Sequence, residues 1–307
     1  MKNILIIGGN GYLGSNIVSK LIKDKKYNIT LLSSTEVESN IVPYMNIVKA
    51  ELKDFDKINM VVKKDRIDTI LHLASSILPN SSYEDFLKEE IDVIVPTQNI
   101  IKLCSKKGIK FVFFSSGGAV YGETKIKKTK ETHPLNPISY YGFAKKKIED
   151  FIQFEARNNY LKFLILRPSN PYGGYINYNN NHGLVLAIIN CIKNKKSLNI
   201  YVDKNTTRDF IHIDELVDSV ARLLKSKNIN SCFNIGTGCG TSISEICDFF
   251  LKKYPKRFFV NYHENLIDDV SSSVLCVDKL NKKHPKRLKI SITDGLNIIS
   301  ETIIDTL

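Results

Sequence analysis

No stretch of this sequence reaches the roughly 18 consecutive apolar residues of a membrane-spanning helix, so no helical span is expected. The six cysteines form no C-x-x-C pair and show no metal-ligand spacing, and the six histidines stand apart from one another, so neither a disulfide framework nor a metal site is expected. Cys104 and Cys276 fall in apolar-periodic stretches, where a buried free thiol is the simple reading. Met1 and Lys2 lead directly into a strand and a glycine turn, with no leader-like apolar segment, which points to a reduced, cytoplasmic protein. The net charge of +12 suggests nucleic acid, but no basic stripe is interleaved with aromatics. The lysines scatter over outer helix faces, for instance Lys20, Lys23 and Lys193, and with abundant Asn and Ile they read as compositional bias. Such a field still attracts a small anionic substrate. Internal repeats are also missing.

What is present is an alternation of buried strands and amphipathic helices. Ile4–Ile7 and Phe111–Phe114 are continuous apolar runs, as in parallel strands covered on both faces. Strands are expected also at 28–32, 46–48, 69–73 and 162–166, with helices at 12–23, 56–63, 92–106 and 140–158. After Arg167 the texture changes to Pro168, Pro171, Gly173, Gly174 and the Asn-rich 177–181, a loop region. The expected fold is an α/β, Rossmann-type doubly wound parallel sheet with a smaller α+β substrate-binding domain. Residues 1–168 form the dinucleotide-binding unit, 207–235 return to it, and 169–307 mainly bind substrate.

The first strand runs into Gly8-Gly9-Asn10-Gly11-Tyr12-Leu13-Gly14 and then a helix. Glycines at 8, 11 and 14 let the chain turn tightly, approach a pyrophosphate and pack helix on strand, with the anion at the helix N-terminus. The second strand should end in an acid for the ribose hydroxyls, but Ser33-Ser34 follows Leu31-Leu32, and Glu36 comes later. Ser33 tolerates a 2′-phosphate, yet no arginine accompanies it, so the cofactor is NAD or NADP.

Tyr140-Tyr141-Gly142-Phe143-Ala144-Lys145 opens a helix, placing Tyr141 and Lys145 one turn apart on one face. An ammonium beside a phenol should lower its pKa from about 10 towards working pH. Tyr141 can then act as acid or base on a carbinol proton while hydride moves to or from a nicotinamide.

Together with His72-Leu73-Ala74-Ser75, Ser115-Ser116-Gly117-Gly118-Ala119-Val120-Tyr121-Gly122, Arg167-Pro168-Ser169-Asn170-Pro171-Tyr172-Gly173, Arg208-Asp209-Phe210-Ile211-His212-Ile213-Asp214-Glu215 and Phe233-Asn234-Ile235-Gly236, these residues give a chain that resembles the NAD-dependent epimerase/dehydratase family of extended short-chain dehydrogenases/reductases. The resemblance spans almost the whole chain. It implies a dinucleotide held by Gly8, Gly11, Tyr12, Leu13, Gly14, Ser33, Leu73, Ala74 and Ser75, with Glu51 and Leu52 flanking the adenine. Lys145 would bond the nicotinamide ribose as well as assist Tyr141. Asn170 and Arg208 would grip the diphosphate of a nucleotide sugar.

Departures narrow the chemistry. The hydroxyl that the resemblance puts two positions after Ser115 is Gly117 here, so Ser116 is the nearest catalytic or sugar-bonding hydroxyl. Gly117 and Gly118 are expected to form a turn close to the nicotinamide that a Cβ would narrow. Gly118-Ala119 replace the Asp-Glu pair of dehydratases, which argues against dehydration. Leu266 stands where an arginine would grip phosphate, and 202–205 lack the usual glycine. The resemblance implies oxidoreduction at carbon 4 of a nucleotide sugar, first as reduction of a 4-keto-deoxyhexose nucleotide for surface polysaccharide. The alternative is a reversible 4-epimerase with retained NAD, and a third reading is a non-catalytic cofactor-binding regulator. A homodimer through helices 92–106 and 140–158 is implied as well.

Overall fold

Along the first strand the side chains alternate between two hydrophobic clusters, which sets a sheet between two layers of helix. A computed structural model describes residues 1–35, 37, 42–174, 183–226, 230–263 and 270–304; Glu36, the Asn-rich stretch 177–181, Leu266 and Asp269 lie outside the described residues. The first half runs β1 (Lys2–Ile7), α1 (Tyr12–Asp24), β2 (Tyr27–Ser33), β3 (Asn46–Lys49), α2 (Phe55–Lys64), β4 (Thr69–His72), α3 (Tyr83–Glu89), α4 (Val95–Lys107), β5 (Lys110–Phe114), α5 (Tyr140–Asn159) and β6 (Phe163–Pro168). The second half runs β7 (Asn170–Tyr172), α6 (Leu184–Asn194), β8 (Ser197–Ile200), β9 (Thr207–Arg208), β10 (Phe210–His212), α7 (Ile213–Lys225), β11 (Ser231–Ile235), β12 (Thr241–Ser242), α8 (Ile243–Lys253), β13 (Phe259–Tyr262), β14 (Ser272–Ser273), α9 (Asp278–Lys283) and α10 (Ile292–Ile304).

The central sheet has seven strands in the order β11-β6-β5-β4-β1-β2-β3, every pairing parallel. From β3 to β6 this is the 3-2-1-4-5-6 order of a dinucleotide-binding Rossmann sheet, and β11 extends the edge beside β6. Ile4 and Ile6 join a cluster with Ile17 of α1 and Leu216 of α7; Leu5 and Ile7 join one with Ile58 of α2, Ile100 of α4 and Ile148 of α5. Strand β5 repeats the alternation: Phe111 and Phe113 go to one side, Val112 and Phe114 to the other. A third cluster, around Ile188 and Ile192 of α6, Ile246 and Phe250 of α8 and Leu296 of α10, lies apart from these two.

The helix expected at 92–106 begins earlier and is not uniform. Ser82 and Asp85 form a reciprocal capping box at the start of α3. Residues Glu90–Ile94 then form a π-turn, in which the Val95 N–H donates to the Glu90 carbonyl, before α4 resumes with Pro96 in its first turn. Proline has no N–H for the carbonyl four residues back and its ring crowds that carbonyl, so a widened turn ahead of it relieves the clash.

Candidate active site

The carboxyl ends of β1, β4, β5 and β6 gather the expected residues on one edge of the sheet, around the β1/β4 point where strand order reverses. Gly8 has φ of +78°, and a Cβ there would stand 2.7 Å from the Ala74 backbone nitrogen, so the glycine turn and the β4 loop touch. A Cβ on Gly14 would meet the Gly8 carbonyl oxygen at 2.4 Å, which explains how α1 packs so tightly on the turn. At Gly11, the N-cap of α1, the nearest atom to a Cβ is 3.5 Å away, no side chain caps the helix and its first turn holds no acid. The first-turn N–H groups and the positive end of the dipole therefore face an open cradle suited to a pyrophosphate. The Asn10 side chain donates to Thr35 Oγ1 at 3.1 Å, tying the turn to the end of β2. Ser33 is buried and gives its hydroxyl to the Thr35 carbonyl at 2.9 Å, so it shapes that corner. Glu51 is exposed at the β3–α2 turn and pairs with Lys53 at 2.7 Å, while Leu52 packs on the core beside α2.

Ser139 caps α5 by accepting from the Gly142 N–H, and a Cβ on Gly142 would stand 2.4 Å from the Ala119 carbonyl. The helix thereby starts against the loop after β5 and brings Tyr141 beside it. The Ser116 hydroxyl lies near the Tyr141 phenol and favours its ionised form. Lys145, one turn on, is 3% exposed. Its Nζ lies 5.5 Å from the Tyr141 ring centre and 5.4 Å from that of Phe113. Burial pushes the Lys145 ammonium down to about 8, with Glu89 opposing the shift. The expected lowering of the Tyr141 phenol does not appear: burial raises it, Ser116 offsets part of the rise, and Glu89 adds to it. His72 is fully buried with its Nε2 2.9 Å from Thr97 Oγ1, and burial together with Lys145 lowers its pKa to about 3, so the ring is neutral and serves packing.

One reading of the β5 loop is corrected. Gly117 does not narrow the nicotinamide side; its Cβ would run into Leu275 Cδ1 at 2.6 Å and the Arg167 carbonyl at 3.0 Å. Its N–H bonds the Pro168 carbonyl at 2.8 Å, so position 117 is turned towards the core and Ser116 towards Tyr141.

Across the cleft, β7 pairs with β10, opposing Asn170 to Phe210. Asn170 Oδ1 lies 3.7 Å from where a Gly118 Cβ would be, placing the amide over the same loop as Ser116. Arg208 ends β9 and donates from Nη1 to the Thr207 carbonyl. Asp209 is fully buried, and its carboxylate accepts from the Thr237 N–H, the Thr237 hydroxyl and the Gly238 N–H at 2.7–3.0 Å. It anchors the loop after β11 to the strand that carries Arg208. Among the described residues no group of three or more His, Cys, Asp or Glu is placed to hold a metal. No described helix is long and apolar enough to cross a membrane.

Sequence reasoning missed Glu89, which is 1% exposed beside the tyrosine–lysine pair. The available signal was its spacing: Phe86, Glu89 and Val93 all fall on the buried stripe.

The family model described as NAD dependent epimerase/dehydratase matches residues 4–236. A protein of Methanocaldococcus jannaschii, provisionally named UDP-glucose 4-epimerase, is 35% identical over 248 residues, covering 80% of each chain. The dTDP-4-dehydro-6-deoxyglucose reductase of Escherichia coli is 24% identical over 98% of both chains. Among solved structures, the UDP-glucose 4-epimerase of Thermotoga maritima with UDP-glucose matches at TM-score 0.90 and 28% identity, over 99% of both chains.

Proposed function

The chain belongs to the NAD-dependent epimerase/dehydratase family, and from that premise we propose that it is a nucleotide-sugar 4-epimerase working with retained NAD. The observation that carries this reading is the grouping of Ser116, Tyr141 and buried Lys145 at the strand ends beside an uncapped glycine turn. Gly8–Gly14, Leu73, Ala74 and Ser75 would hold the dinucleotide, with Ser33, Glu51 and Leu52 at the adenosine end. A dinucleotide held there would supply the hydride acceptor and donor needed at carbon 4 of the sugar.

Tyr141 takes the proton of the carbon 4 hydroxyl as the bond to oxygen becomes a carbonyl, and gives it back when the carbinol re-forms. Lys145, held beside the phenol, stabilises the phenolate while it carries the negative charge. Ser116 bonds the same oxygen and keeps it aligned with Tyr141. Asn170 and Arg208 bind the diphosphate, Arg208 through its planar fork, so the sugar is the part left free to turn. The relatives named as UDP-glucose 4-epimerases make a uridine diphosphate hexose the substrate of choice.

Purified protein offered UDP-galactose without added cofactor should accumulate UDP-glucose. The full-length similarity to a dTDP-4-dehydro-6-deoxyglucose reductase supports a second reading. Under it no epimer forms, and added NADH or NADPH is consumed one for one with a 4-keto sugar nucleotide.

A further inference from the structure

Among the described residues four glutamates are buried, and they are satisfied in different ways; Glu155, towards the end of α5, accepts from the Asn159 amide at 3.0 Å. Glu149 spends its charge on Arg167, with Nη2 at 2.5 Å and Nε at 3.0 Å, and Glu215 pairs with Arg287. Glu89 is met by the Ser75 hydroxyl at 2.9 Å, the Ser76 N–H at 2.8 Å and the Ser76 hydroxyl at 2.6 Å. These donors sit on the turn that follows β4, whose Ala74 touches Gly8. The last turn of α3 is itself fixed against the first turns of α5. Phe86 packs on Tyr140 and Phe143, with ring centres 5.6 and 5.5 Å apart, and Glu90 pairs with Lys147 at 2.5 Å.

We propose that Glu89 is a positioning residue for the Tyr141–Lys145 pair, clamping the Ser75–Ser76 turn and supplying the counter-charge that sets the pH range in which the pair works. The proposal rests on the reading of that pair as catalytic. A buried carboxylate met only by neutral donors keeps its field, and here that field acts on both Tyr141 and Lys145, raising the proton affinity of each. The other groups facing the pair are the Ser116 hydroxyl and neutral His72 on β4, while Lys147 and Glu90 neutralise each other at the surface. Glu89 thus opposes the loss of the Lys145 proton that burial favours, and its three hydrogen bonds hold the turn that meets the glycine loop.

Removing the charge should lower both proton affinities. In Glu89→Gln the phenolate titration of Tyr141, read by ultraviolet difference between each protein and the same protein carrying Tyr141→Phe, should move about one unit towards acid. Both limbs of the pH–turnover profile should move with it, while Glu89→Asp, which keeps the charge, should leave them in place at reduced turnover. Glu89→Met serves if the amide does not fold, because Ser75 and Ser76 are exposed and their hydroxyls can turn to water. A folded, charge-free variant whose titration and limbs coincide with the parent would overturn the proposal. Full activity in Tyr141→Phe would sink the catalytic reading alone, since the titration still reports the field of Glu89.

Discussion

Lys145 pays for its position in stability. An unfolded lysine titrates at 10.5 and the buried one at about 8, so the unfolded chain holds this proton more tightly. The penalty is fully present below about pH 8 and fades as pH rises towards 10.5, with a ceiling of about 3 kcal/mol. Lys145→Met should therefore raise the Tm at neutral pH by a few degrees while turnover collapses. The gap in stability between variant and parent should close between pH 8 and 10.5, measured by urea unfolding across that range. A gap that widens with pH would contradict the assignment. Gly117 gives the second test at this scale. Gly117→Ser should bring no gain in turnover and should cost roughly 1–3 kcal/mol, because its Cβ meets Leu275 and the Arg167 carbonyl. A tenfold rise in turnover would mean that the site lacks a hydroxyl that Ser116 does not supply.

Among elements, the junction of β1 with α1 leaves no room for a side chain at Gly14. Gly14→Ala places a methyl 2.4 Å from the Gly8 carbonyl and 2.5 Å from Gly9 Cα. It should lower the Tm and release dinucleotide, read from the cofactor extracted after purification; retention equal to the parent would show that α1 can shift without loosening the cradle. The parallel strands were legible because a strand covered on both faces is an unbroken apolar run, as at Ile4–Ile7 and Phe111–Phe114. Tyr141 and Lys145 were legible because helical spacing alone puts them on one face. Strands β7, β9, β10, β12 and β14 hold two or three residues each, too few for any period, and their pairing is set by contacts distant in sequence. The π-turn escaped for a similar reason, since Pro96 marks a disturbance without saying which backbone will absorb it. Ser116 rather than Gly117 faces Tyr141 because the Gly117 N–H continues the pairing with β6, a register that no local pattern reveals.

Among the apolar side chains exposed on the described surface, Tyr83 and Leu87 of α3, Ile91 and Val95 at the π-turn and α4, and Phe143 and Phe154 of α5 lie on neighbouring helices. A patch of this kind on adjacent helices fits a two-fold contact with a second copy. Sedimentation at micromolar concentration should give a dimer, and Ile91→Asp, at a residue 70% exposed, should shift it to monomer without loss of fold. A monomeric parent would leave that patch without the proposed partner.

In the proposed reaction one chain removes and returns the same hydrogen at carbon 4 of a nucleotide sugar, with Tyr141 handling the proton. The direct measurement uses UDP-galactose carrying deuterium at carbon 4, purified protein and no added cofactor. The expected product is UDP-glucose that keeps its deuterium at carbon 4, with no such product from Tyr141→Phe at matched concentration. Loss of the deuterium to solvent, or product formation undiminished in Tyr141→Phe, would contradict the proposed reaction.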